Sequence, residues 1–346
     1  MSSVEIYLTF YIIYLIKMGQ LPYYNSLSEK EQNFNNDRSN FKIDTVNELD
    51  EWYEYLIRKI SENKTESKLD SVNTDHIFRG LREAKFKLLT SSQRFWISNE
   101  LKQWWRPKSY LKYVNKFVKN ARDKLLFKKV FEYYNLKSNQ RNFPILSILQ
   151  HYGAPIPLMD WSYSINVTLY FATQKAYSSY SQNNIDHYFS VYHIDKRKQK
   201  KNEFNNLLDW SGGSFPRISS FYDWEKNKNS IFYISDFESK IIPSNSFKDE
   251  RPITTFYNQN IIPQEGLFIF NPFPTKPLED CFNTDHWGDG NNLELLPFSC
   301  INIRKDLGEY IRRKIKTEGI DENFIYPNLK TYCNNLTSEF LDSAAK

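Results

Sequence analysis

The chain has 346 residues, 40% of them hydrophobic, and a formal net charge of +5. That length and apolar content supply a core for one large domain or two modest ones, which excludes a disordered or fibrous chain. The mild charge does not separate a nucleic-acid binder from an ordinary basic enzyme. Three cysteines, Cys281, Cys300 and Cys333, are an odd number without metal-ligand spacing. They give neither a disulfide framework nor a metal site, and a reducing, cytoplasmic compartment is expected.

The apolar run at 4–16, VEIYLTFYIIYLI, is shorter than the about 20 residues a spanning helix needs. Glu5 stands where a secretory signal carries basic residues. The run is expected to be a buried or peripheral helix, or a start upstream of a true initiator at Met18, and membrane contact is not expected. After a polar stretch, Val46, Leu49, Trp52, Tyr53, Leu56, Ile57 and Ile60 recur at helical spacing behind a Thr45/Glu48 capping box. Ile77-Phe78, followed by Arg79-Gly80, reads as a strand edge. Between 96 and 134 the apolar residues Leu111, Val114, Phe117, Val118, Leu125 and Phe131 predict helices. Ten basic residues stand against one acid between Lys102 and Val130. Helices are predicted at 145–152, 165–180 and 305–316, and strands at 187–194, 230–234 and 267–270, where aromatic and β-branched residues cluster. No internal repeat or long linker interrupts this order. The reading is an α+β fold: an N-terminal apolar helix and polar linker over 1–41, then a single domain over 42–340 with a mixed sheet flanked by helices.

Three stretches carry chemistry. Arg79 ends an apolar pair ahead of Gly80, so its guanidinium suits a phosphate or carboxylate while the glycine admits backbone or ligand closely; an ordinary internal ion pair is the other reading. In LQHYGAPIPLMDWSYSINVTLYFA, residues 149–172, Gly153 is able to stop a helix by taking positive φ, and Pro155 and Pro157 force extended geometry before them. Asp160 and Trp161 follow at the end of that rigid crossing, and Ser162 or Ser164 caps the next helix. His151, Asp160 and Ser162 do not make a hydrolase pattern, since G-x-S-x-G is absent; they either satisfy backbone groups around the bend or serve a site. In NIIPQEGLFIF, residues 260–270, Gln264 and Glu265 precede Gly266 and a strand, a place from which to orient a sugar hydroxyl or simply form a solvated turn.

These stretches, in this order, resemble the FRG domain family, which is named for its F-R-G motif. IFRGL at 77–81 and the long middle segment carry the likeness, IIPQEGLFIF at 261–270 extends it, and GIDENFIYPNL at 319–329 is similar to the family's closing segment. The likeness covers about residues 42–340. The chain departs from the family pattern at Ile156-Pro157-Leu158-Met159, where Thr-Arg or Thr-Pro commonly precedes a Leu-Leu-Asp-Trp run, and at Asn260, where an arginine is frequent.

The order of an arginine on a first strand, a serine-bearing turn into a helix, and a Gln/Glu pair entering a later strand also resembles the arginine-type ADP-ribosyltransferases. That resemblance implies a split sheet and NAD as substrate. Arg79 would hold a phosphate or ribose of NAD, with Gly80, His151, Asp160, Trp161 and Ser162 lining the binding side, and Glu265 or Gln264 in the catalytic place. A carboxylate there stabilises the oxocarbenium character of a ribose losing nicotinamide, whereas an amide brings no charge. Adjacent strand residues face opposite ways, so one of the two faces the pocket. Two classes therefore stand open. One is an ADP-ribosyltransferase-like toxin or defence effector with a macromolecular acceptor; the other is a non-catalytic module holding a nucleotide or nucleic acid. For the second, Trp104, Trp105, Tyr110 and Tyr113 among the lysines of 102–130 supply stacking beside charge, against the reading of a solvated helix face with an aromatic core side.

Overall fold

The computed structural model describes residues 19–34, 41–61, 75–101, 110–133, 142–177, 181–195, 232–234, 260–261, 263–271, 273–282 and 298–327. The apolar run 4–16, Trp104 and Trp105, and everything after 327 lie outside the described residues.

Strands β1 (Lys42–Ile43), β2 (His76–Leu81), β3 (Leu158–Ser162), β4 (Tyr188–Asp195), β5 (Phe232–Ile234), β6 (Gly266–Phe270) and β7 (Phe298–Arg304) form one sheet in the order β1-β7-β4-β2-β3-β6-β5. β1 runs parallel to β7, and every other pairing is antiparallel. The sheet is therefore mixed and the fold α+β, as the sequence predicts. Its halves meet at a seam. β2 pairs with β4 over six residues and β3 with β6 over five, but β2 and β3 share one pair, Phe78 with Ser162.

Alternation along the strands divides the side chains between two faces. On the first face Ile77, Met159, Trp161, Tyr192, Leu267, Ile269 and Phe298 pack with Tyr24, Phe34 and Leu278, the first residue of α8 (Leu278–Phe282). The segment 19–34, with helix α1 (Leu27–Glu31), is thus built into the body of the sheet. The second face carries two separate cores. One joins β3 and β6 to α3 (Ser91–Ser98), α4 (Tyr110–Asp123) and α6 (Asn142–His151) through Leu158, Phe268, Phe270, Trp96, Val114 and Leu149. The other joins β1, β7, β4 and β2 to α2 (Val46–Ser61), α7 (Ile165–Thr173) and α9 (Gly308–Thr317) through Ile43, Phe78, Val191, Ile303, Leu49, Leu169 and Ile311. The boundary between these cores falls on the seam.

Local chemistry sets the ends of these elements. The Glu48 amide donates to Thr45 Oγ1 at 3.3 Å and the Thr45 amide to Glu48 Oε2 at 2.9 Å, closing the expected capping box on α2. A second box, Thr90 with Gln93, starts α3. Gly153 at φ 77 ends α6, with its amide on Gln150 O and that of Ala154 on Leu149 O. Ser164, rather than Ser162, caps α7 through the Val167 amide. α7 stops at Thr173, short of the predicted 180, because the chain turns through left-handed Lys175 at φ 55. Leu125 is 69% exposed and Leu126 is 71% exposed. The break at Lys124 between α4 and α5 (Leu125–Tyr133) resets the helical phase, so Phe127 and Val130 turn to the core instead.

Candidate functional site at the sheet seam

The three sequence stretches become neighbours in the sheet. Ser162 pairs across to Phe78, the residue before Arg79, and on its other side to Gly266, the residue after Glu265. Beyond that point β2 and β3 part, and Arg79 enters the gap: its Nη1 donates to the backbone oxygen of Asp160. A guanidinium thus takes the carbonyl that a strand partner would otherwise satisfy. Burial, assisted by the like charge of Arg94, pulls Arg79 down to about 10 against the opposing pull of Asp160, so it stays charged at neutral pH. Among the described residues it has no carboxylate within ion-pair distance, and its Nε is buried without a hydrogen-bond partner.

Asp160 is the exposed member of a strand whose other four residues are buried. Its side chain lies on the second face, at the boundary between the two helical cores, where Gln150 Nε2 on α6 donates to its Oδ2 at 2.7 Å. Gln150 Oε1 is itself buried and unpartnered. His151, the last residue of α6, is held below its ordinary pKa by partial burial, with the Asp160 charge opposing. Arg94 on α3 is likewise lowered by burial and opposed by Asp160, and its Nη1 donates to Leu89 O at 2.5 Å. Two arginines, a histidine and a carboxylate therefore gather around one exposed position in mid-sheet. Arg79 Nε and Gln150 Oε1 are two buried polar atoms left open at this position.

The remaining predicted residues take the following places. Gly80 faces α7: a Cβ there would lie 2.4 Å from Thr168 O and 2.8 Å from the Ala172 nitrogen. Its smallness brings a helix backbone onto the strand. Trp161 is buried in the first-face core beside Phe298, with its Nε1 unpartnered. Ser162 Oγ donates to Gln264 O at 2.7 Å and accepts from the Ser164 amide at 2.9 Å. The Gln264 amide group donates to Ile325 O at 3.0 Å, fixing the end of helix α10 (Glu322–Ile325). Glu265 sits at φ 44, the left-handed region, where its carbonyl accepts from the Tyr163 amide. Gln264 is thus a brace between two loops. Arg94 and Gln150 are the site residues that sequence reasoning missed. Gln150 lay inside the quoted middle segment, but neither residue has a local pattern that marks it.

The fold and site define an α+β protein with a divided sheet and a polar, arginine-lined seam at its centre. Residues 74–181 match the family model of the FRG domain. The chain carries an FRG domain over that span, which contains β2, β3, α7 and all the seam residues named above from Arg79 to Ser162. The Gln264-Glu265 stretch lies outside the matched residues. No curated protein and no solved structure matches the chain.

Proposed function

We propose that the seam of the FRG domain binds a nucleotide-class ligand, with NAD the candidate. Its pyrophosphate would lie against Arg79 and Arg94 and a ribose hydroxyl against the Asp160 carboxylate. The observation that carries this reading is Asp160 itself: an exposed carboxylate midway along a buried central strand, oriented by Gln150, beside an arginine with an unpaired buried Nε.

On the catalytic form of the reading, the bond from ribose C1′ to the nicotinamide nitrogen breaks and nicotinamide leaves with the electron pair. The ribose gains oxocarbenium character, which a carboxylate stabilises. A nucleophile of a macromolecular acceptor then bonds to C1′ and loses its proton to solvent, the reaction of an ADP-ribosylating toxin or defence effector in the cytoplasm. Asp160 is the carboxylate this reading favours over the Gln264-Glu265 pair, because its charge acts on both Arg79 and Arg94, while the Gln264 amide is engaged with Ile325 O. The non-catalytic form keeps the same contacts and lacks the bond cleavage.

Calorimetric titration of the full chain with NAD and with ADP-ribose tests binding, and nicotinamide release tests turnover. Asp160→Asn is expected to retain binding while lowering any nicotinamide release by about 100-fold or more. Arg79→Lys, which keeps the charge but loses the planar fork, weakens binding of both ligands. Absence of saturable binding of either ligand would sink the proposal. Binding without nicotinamide release selects the non-catalytic form.

A further inference from the structure

The described helices α4 and α5, residues 110–133, contain seven basic residues and two acids. Their net charge of +5 equals that of the entire chain, so all other residues together balance to zero. Lys112, Lys116 and Lys119 fall at spacings of four and three residues and are exposed, which makes one stripe along α4. Lys124, Lys128 and Lys129 continue the exposed positive surface around the junction. At that junction Leu125 and Leu126 stand side by side, 69% and 71% exposed. Two adjacent leucines so open to water, ringed by lysines, are not explained by the packing of these helices, which buries Val114, Val118 and Ala121 instead.

The sequence leaves this segment two readings, nucleic-acid binding through aromatic stacking or a solvated helix face with an aromatic core side. The described aromatics do not serve the first. Tyr110 is buried with its ring edge-on to Trp96, and Tyr113 packs against Phe95, Trp96 and Phe117. A phosphate backbone would engage the lysines and leave both leucines in water. A surface that is negative outside and apolar just beneath engages both, with the long lysine stems reaching up to headgroups while the leucines enter the acyl boundary.

We infer that the α4–α5 junction docks the protein on an anionic bilayer surface. No helix among the described residues is long and apolar enough to cross a membrane, and surface docking needs none. The interaction is peripheral, reversible and dependent on salt. It is independent of the ligand proposed for the seam.

Sedimentation of the full chain with vesicles tests it, comparing phosphatidylcholine alone with phosphatidylcholine containing phosphatidylserine. Binding to the anionic vesicles, falling as salt rises and absent with neutral ones, is expected. Lys124→Ala with Lys128→Ala should weaken it by about fivefold per lysine. Leu125→Ser with Leu126→Ser, at exposed positions where circular dichroism should remain unchanged, should weaken it at constant charge. Failure to bind anionic vesicles, equal binding to neutral ones, or indifference to the leucine pair overturns the inference. Tighter binding of single-stranded or duplex DNA that ignores the leucine pair also overturns it, and returns the patch to nucleic acid.

Discussion

Lys30 lies on α1, fully buried within the first-face core. Its ammonium donates to Ala84 O at 2.9 Å, Ser190 Oγ at 2.6 Å and Asn302 Oδ1 at 3.0 Å, and sits 4.8 Å from the centre of the Tyr192 ring. No carboxylate lies within ion-pair distance of it among the described residues. Burial holds its pKa below the ordinary lysine value. The group therefore plugs the N-terminal segment into the sheet with hydrogen bonds and its aliphatic stem. Replacing it by alanine removes about three methylenes at about 0.8 kcal/mol each, and leaves a cavity. It also strips Ala84 O of its donor, at about 1–3 kcal/mol. The sum is about 4 kcal/mol. Methionine restores most of the stem and removes the costly buried charge. Asn302 Oδ1 still accepts from Ser190 at 2.7 Å and Asn302 Nδ2 still donates to Phe41 O at 3.1 Å. Lys30→Met also strips Ala84 O of its donor, but it sheds the buried charge and keeps the packing, so it should cost about 2 kcal/mol or less. Equilibrium urea unfolding at pH 7, followed by tryptophan fluorescence, should place Lys30→Met at least about 2 kcal/mol above Lys30→Ala. Equal losses would refute the reasoning, because the charge rather than the packing would then hold the segment.

Gly80→Ala should destabilise by about 3 kcal/mol, near the upper range for overpacking, since its Cβ would meet the backbone of α7; a thermal transition within a degree of the parent's would contradict that. Glu279 is buried, and burial lifts its carboxyl to about 7 despite hydrogen bonds from the Leu88 amide and Tyr24 hydroxyl. Its folded pKa lies above the ordinary 4.5. Its contribution to stability is therefore complete below about 4.5 and lost as pH rises through about 7. Urea midpoints measured across that window should fall with pH, and Glu279→Gln should flatten the slope.

Much of the framework was legible before any coordinates. Thr45 and Glu48 announce a helix start, Gly153 a stop, and the β-branched and aromatic runs at 187–194 and 267–270 their strands, because each signal acts within a few residues. The order of the Arg79, Asp160 and Gln264 stretches pointed to a shared centre, and β2, β3 and β6 are indeed adjacent there.

What tertiary structure alone decided is how those residues divide the labour. Trp161 and Asp160 are adjacent in the chain, but strand alternation sends one into the core and the other to the boundary between two helical layers. Arg79 meets a backbone carbonyl because β2 and β3 part after a single pair, and Arg94 and Gln150 join it from two separate helices. Lys30 is buried because the chain folds the 19–34 segment over the sheet, against everything its charge suggests locally. Caps, turns and periodicity depend on neighbours in sequence; burial and convergence depend on which faces meet, and that is set by long-range packing.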